Sequence, residues 1–475
     1  MGIDGLLTFV RSASSEVHIS KFAGQRVAID ASSWLHRGAF SCARELALGQ
    51  ETDRYLRFPL RMIAMLRSHC VEPVLVFDGA KLPMKVRTDR LRSAARSAAL
   101  QRAHREQRDK DFTDSITVTP AMADRLLRKL RESDTAFVVA PYEADAQMVF
   151  LVEHGHCAAA ITEDSDLLAF RCPRTIYKLS PETGYCRLHS FDDLCHATDS
   201  SGSLLFDDWQ SWKTGLFTDM CILSGCDYLP SIPGVGLKTA HAALSTHRSM
   251  QRAISALHDK FIWSKAQSAD PAGRAELLQL TSEHLELCTM CQQIFKYATV
   301  WDPVSAALVP LHQLGTSLDI RDRDRLGPLM APSDAKLLCE DGVLDPTSLQ
   351  LYPTVEQSTA SMPKREDVRS RFFDAVCPRV NTAACEPSSI SIVQQNVVRR
   401  ETAESALPLN EGAVAPCETD TFLYSAGVRS PMHFKAFHVP LSDEAKTAAF
   451  ESAHLFAIDS PPCLGDAFLQ RFRGI

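Results

Sequence analysis

Long apolar runs are missing from this chain: no stretch of its 475 residues reaches the roughly 18 needed to cross a membrane. A basic-then-apolar leader is missing too. MGIDGL opens like an acylation site but carries Leu6 where Ser or Thr is wanted. A soluble, intracellular protein with no membrane partner is expected. Disulfide-framework spacing is also absent, since the 15 cysteines are scattered and odd in number, as reduced thiols would be. Cys288 and Cys291 make one CxxC pair; with no second pair to complete a zinc site, they read as two thiols on one helical face. Excess positive charge is the last absence. The 58 acids against 51 Lys and Arg give −7, which argues against a simple nucleic-acid coat protein.

Local charge departs from that average. Residues 81–110 hold ten Lys or Arg against three acids. LPMKVRTDRLRSAARSAALQRAHREQRDK lacks Gly and is rich in Ala, Leu, Arg and Gln, so it should be helical. Lys85, Arg92 and Arg96 fall at i, i+7 and i+11 on one face. Such a face either lies in solvent or meets a polyanion.

Four short apolar runs share one grammar. QRVAIDAS ends on Asp30, EPVLVFDGA on Asp78, TAFVVAPYEADAQ near Glu143 and Asp145, and CAAAITEDSD on Asp164 and Asp166. Continuous apolar runs separated by helical stretches predict an α/β fold with strands buried on both faces of a mostly parallel sheet. The strand ends of such a sheet share one edge, where ligand sites form. With Asp227, seven acids compete for that edge. Each could cap the helix that follows it. Seven together would repel one another, and a hard divalent cation such as Mg²⁺ removes that repulsion. Two ions about 3.5–4 Å apart are the arrangement that clamps an in-line phosphoryl displacement. Glu163 falls outside the seven and is expected to cap or to sit behind them.

Residues 180–215 look loop-rich. FTDMCILSGCDYLPSIPGVGLKTAHAAL then reads as helix, short hairpin, helix, with Gly234, Gly236 and Lys238 at the second turn. This is neither a P-loop nor a complete GxGxxG. Two glycines at a helix start suit a phosphate, and they equally suit a plain helix–helix turn. From about residue 354 the sequence becomes polar and aperiodic, as expected for a flexible tail.

MGIDGLL, FDG at 77–79, APYEADAQ at 140–147, TEDSDLLAF at 162–170 and ILSGCDYLPSIPGVG at 222–236 resemble the flap-endonuclease/XPG-type family of structure-specific 5′ nucleases, and within it the exonuclease branch. The resemblance covers Met1 to about residue 350. It implies a PIN-like core over 1–353, a helical arch at about 81–130, a helix–two-turn–helix at about 218–245, and a partner-binding tail over 354–475. It implies a nucleus-located, monomeric 5′→3′ exonuclease acting on double-stranded DNA with 5′ ends, nicks, gaps or flaps in DNA repair. A flap endonuclease or junction resolvase is the enzymatic alternative, and a non-catalytic repair scaffold the alternative of another class.

Residue by residue, it implies that the seven acids hold two Mg²⁺ ions, for which Mn²⁺ can substitute. It makes Lys85 and Arg92 the catalytic cations at the scissile phosphate. Gly2, His36, Arg96, Gly234, Gly236 and Lys238 become DNA contacts, and Ser224, Ser231 and Val235 a K⁺ site. RSRFF, from Arg369 and Ser370 through Arg371 to Phe372 and Phe373, resembles a peptide that binds MutL-homologue mismatch-repair proteins. Three departures bear on substrate choice: Ser32 replaces a usual base-stacking tyrosine, the arch is several residues short, and the loop after Asp166 is longer than the resemblance implies.

Overall fold

The computed structural model describes residues 2–260, 271–313 and 326–352, with side chains from 281 onward in the second segment. The expected tail, and with it Arg369, Ser370, Arg371, Phe372 and Phe373, lies outside the described residues.

A seven-stranded sheet forms the centre, in the order β1-β7-β6-β5-β2-β3-β4. Its strands are β1 (Ser14–His18), β2 (Arg26–Asp30), β3 (Glu72–Phe77), β4 (Ala136–Val139), β5 (Ala159–Ile161), β6 (Arg174–Tyr177) and β7 (Tyr185–Ser190). From β6 through β5, β2 and β3 to β4 every pair is parallel; β7 and β1 close one edge antiparallel. The mostly parallel α/β expectation therefore holds. Register aligns the strand ends: Asp30 pairs with Val76, Val76 with Val138, and Ile29 with Ile161. The acids that follow these strands consequently emerge together.

Helices follow strands as the apolar pattern requires. After α1 (Leu6–Phe9), β2 leads into α2 (Ala31–Ala39), α3 (Ala43–Ala47) and α4 (Arg57–Ser68). The stretch after β3 rises into α5 (Val86–Glu106) and α6 (Asp109–Asp114), then returns through α7 (Pro120–Glu132) to β4. With only Ala99 and Ala103 buried, α5 is a polar helix held by Ala-rich propensity. It stops at Gln107, whose φ of 53° is left-handed. Phe112 of α6 is buried, and Arg44 of α3 stacks over its ring at 4.9 Å while bonding Gln107 at 2.5 Å. Thus the arch folds back onto α3.

In contrast, α8 (Ala144–Glu153) is buried almost all round, and its Gln147 satisfies both backbone groups of Trp301 at 2.8 Å. Downstream come α9 (Asp166–Ala169), α10 (Trp209–Ser211), α11 (Phe217–Ser224), α12 (Leu237–His247), α13 (Met250–His258) and α14 (Pro271–Tyr297). The small hairpin of β8 (Thr299–Asp302) and β9 (Ala307–Pro310) follows. Among the described residues, no helix is long and apolar enough to cross a membrane.

Two expectations need correction. Residues 180–215 are not chiefly loop, because YCRLHS forms β7 and pairs on both sides, with β1 and β6. Its Arg and His interrupt the apolar run that marked the other strands, and one pairing neighbour, β1, is remote in sequence. Residues 225–236 contain turns but no hairpin ladder between α11 and α12.

Candidate active site

Backbone geometry first fixes the acids. Asp30 ends β2 and caps α2, its Oδ1 accepting the Ser33 N–H at 2.9 Å; Oδ2 takes the Thr162 hydroxyl at 3.3 Å. Asp78 accepts the Ala144 N–H at the start of α8 at 3.1 Å. Asp164 accepts the Asp166 N–H, and Asp166 the Ile3 N–H, each at 3.1 Å. The helix-cap reading is thus right for Asp30, and capping coexists with convergence.

Convergence shows in the electrostatics. Burial, then the charges of Asp78 and Asp164, push the Asp30 carboxyl up to about 7. Asp145 is raised well above its ordinary range by burial and by Asp164, Asp30 and Asp166. Asp166 is raised likewise by burial, Asp164 and Asp227; burial also raises Asp164. Glu163 goes elsewhere: it is exposed, and its Oε1 accepts the Lys178 N–H at 3.1 Å. It neither caps nor supports the cluster.

The arch base reaches into this edge. Lys85 pairs with Glu143, and with Asp227 at 3.1 Å; Arg92 meets Asp227 at 2.7 Å. Burial opposes the Lys85 charge, but Glu143, Asp227 and Asp145 outweigh it and raise its pKa well above the ordinary value. Arg96 faces His36, whose pKa is lowered by burial and then by that guanidinium. Sequence reasoning missed Thr88 and Tyr228. The Thr88 hydroxyl donates to the Asp227 carbonyl at 2.6 Å, and the Tyr228 hydroxyl donates to Glu143. Thr88 sits at i+3 from Lys85 and i−4 from Arg92, so helical periodicity could have found it.

Gly2 lies against the acids. With φ at 77°, a Cβ there would stand 2.0 Å from Asp164 Oδ1 and 2.6 Å from Asp166 Oδ1. The remaining sites lie on the α11–α12 connection. Ser224 Oγ bonds the Cys221 carbonyl at 2.9 Å, and Ser231 adjoins Gly225. The Val235 N–H bonds Ile232 O at 2.9 Å, Gly234 has φ of 89°, and Gly236 opens α12 two residues before Lys238.

The donor set is all carboxylate; Asp30, Asp164, Asp166 and Asp227 are buried, Glu143 and Asp145 half-buried and Asp78 exposed, and that chemistry fits a hard divalent cation. No three His, Cys, Asp or Glu among the described residues already form a metal-holding group. Lys85 and Arg92 instead draw Glu143 and Asp227 toward themselves.

A carboxylate-lined parallel-sheet edge flanked by fixed cations defines a site built for phosphate-ester chemistry. In sequence comparisons, residues 1–99 match the XPG N-terminal domain and residues 134–227 the XPG I-region. The chain is 35% identical to Exonuclease 1 of Arabidopsis thaliana over 78% of its own length and 48% of that protein. It is 35% identical to Exonuclease 1 of Xenopus laevis, covering 79% and 49% respectively. A solved catalytic core of Rad2 in complex with DNA substrate overlaps 62% of this chain and 85% of that one, at 18% identity and a TM-score of 0.44. Residues 1–99 and 134–227 thus carry the likeness to XPG-type nucleases. The chain spans about half the length of the Exonuclease 1 relatives just named.

Proposed function

We propose that this chain is a divalent-metal-dependent 5′→3′ exonuclease of double-stranded DNA that also cuts 5′ flaps. The observation that carries this reading is the contact of Lys85 and Arg92 with Glu143 and Asp227. Two cations from the arch helix stand among buried acids, and a phosphodiester offers them the same oxygen chemistry. Asp30, Asp78, Glu143, Asp145, Asp164, Asp166 and Asp227 would hold two Mg²⁺ ions, or Mn²⁺ in their stead. When bound, the ions activate a water and neutralise the leaving oxygen.

Lys85 and Arg92 then turn to the scissile phosphate and stabilise the charge building on it. His36 and Arg96 guide the 5′ end of the cut strand beside Gly2. Gly234 and Gly236 offer backbone N–H groups, and Lys238 an ammonium, to the duplex; K⁺ at Ser224, Ser231 and Val235 ties that backbone down. The protein acts as a monomer in nuclear DNA repair, and Arg369–Phe373 engage a MutL homologue.

Purified protein on a 5′-recessed duplex with Mg²⁺, beside Asp164→Ala and Asp166→Ala, tests the proposal. Wild type should shorten the strand stepwise and both variants should fail. Intact DNA with wild type sinks the nuclease reading and leaves a binding scaffold; equal cutting by a variant sinks the metal-site reading. A single cut at a flap base or junction, without stepwise loss, supports a flap endonuclease or resolvase instead. Binding should also weaken steeply with salt.

A further inference from the structure

From Val86 to Ala98 no side chain of α5 is buried; Ala99 is the first. The base of the arch is therefore held by polar bonds, and three of them converge on one residue. Lys85, Thr88 and Arg92, at i, i+3 and i+7, share the face turned to Asp227. Lys85 and Arg92 reach its carboxylate at 3.1 and 2.7 Å. The Thr88 hydroxyl donates to its main-chain carbonyl at 2.6 Å. The support beneath is stiff: Asp227 is buried, and its turn is closed by the Cys226 N–H on Leu229 O at 2.9 Å. Just before it, Gly225 has φ of 98°, and a Cβ there would stand 3.0 Å from the Ser231 nitrogen. The two kinds of contact answer differently to a phosphodiester. Its anionic oxygens compete with carboxylates for Lys85 and Arg92. A neutral hydroxyl–carbonyl pair gains nothing comparable from that exchange and stays made.

We propose that Thr88 is a positioning residue whose hydroxyl pins the base of α5 to the Asp227 turn while Lys85 and Arg92 pass from the acids to the substrate phosphate. With the pin in place, both cations swing about one fixed point and arrive aligned. Thr88 itself does not touch the substrate. Its effect on cutting rests on the nuclease reading; the pinning does not, and needs neither metal nor DNA.

Thr88→Val is the matched test, because Val keeps the β-branched shape and nearly the same helix propensity but has no hydroxyl. Thr88→Ser restores the hydroxyl, and Thr88→Ala replaces the Val variant should that pack poorly. Amide hydrogen exchange over residues 89–95 is followed in full-length protein without metal or DNA. Affinity for a 5′-recessed duplex is measured in EDTA, and single-turnover cutting at saturating duplex with Mg²⁺. Thr88→Val should exchange about fivefold faster, bind DNA within about twofold of wild type and cut about fivefold more slowly. Thr88→Ser should return both exchange and cutting to wild-type values. Unchanged exchange in Thr88→Val overturns the pin. Wild-type cutting by Thr88→Val, a loss of DNA affinity in place of a loss of rate, or failure of Thr88→Ser to restore cutting overturns the positioning role. If wild-type protein cuts no DNA, the nuclease reading fails, and exchange alone decides the pin.

Discussion

The buried carboxylates at the sheet edge and the one on α11 are held differently. Asp219 of α11 is raised to about 6 by burial alone, with the Gln292 amide working against the rise. Asp30 reaches about 7 because two more acids add to its burial. A lone buried acid with a neutral donor is a tolerated component of packing. A crowd of them opposes folding and demands positive charge, which Lys85 and Arg92 supply from the arch. Crowding, more than burial, distinguishes the acids proposed to work.

Substitutions can break that contrast. The largest effect is expected from Lys85→Met, which removes one cation from between two acids. Unfolding stability should fall by about 3–5 kcal/mol, and single-turnover cutting by about 10²–10³-fold. Asp145→Asn should do the reverse to stability, adding about 1–2 kcal/mol by relieving repulsion while cutting is lost; urea melts and a nuclease assay read the two.

Asp219→Asn sharpens the comparison through pH. The folded value near 6 lies above the ordinary 3.8, so the folded protein keeps this proton longer than the unfolded chain. The stability it lends is full below the unfolded value and disappears as pH rises through the folded one. The variant should therefore gain up to about 3 kcal/mol at neutral pH and nothing at pH 4. His258 and His284, lowered by burial to about 4 and 3, act oppositely in acid. The difference between variant and wild type is thus the quantity to plot, and cutting should be unchanged. The smallest effect belongs to Arg44→Ala, whose half-exposed side chain clamps the arch. It should cost about 1 kcal/mol or less and raise protease nicking near Gln107.

The parallel sheet was legible because strands buried on both faces are written as continuous apolar runs, each ended by an acid. β7 was not, since Arg187 and His189 break its run and its partners, β1 and β6, include one far away in sequence. The basic helical face was legible at i, i+7 and i+11, and Lys85 and Arg92 do meet Asp227. Glu163, already set apart from the seven, does not take the capping or supporting role expected of it, because three acids in four residues do not show which way each one turns. At the strand end the chain turns, sending Glu163 to Lys178 and its neighbours inward. The Tyr228–Glu143 contact joins residues 85 apart and carries no local signal. CxxC spacing put Cys288 and Cys291 on one helix, and what it could not show is that both are buried where α14 packs on α11.

In the proposed metal site, the amides that hold the aspartates would also settle their denticity. Asp78, Asp164 and Asp166 each have Oδ1 occupied by a backbone N–H, and Asp30 has both oxygens engaged, one of them by a hydroxyl. Each of the first three is therefore biased to offer a single oxygen in one direction, since rotating to chelate through both would orphan an amide. Sheet and helix ends thus act as a jig: main-chain hydrogen bonds set the angle of each carboxylate before any cation arrives.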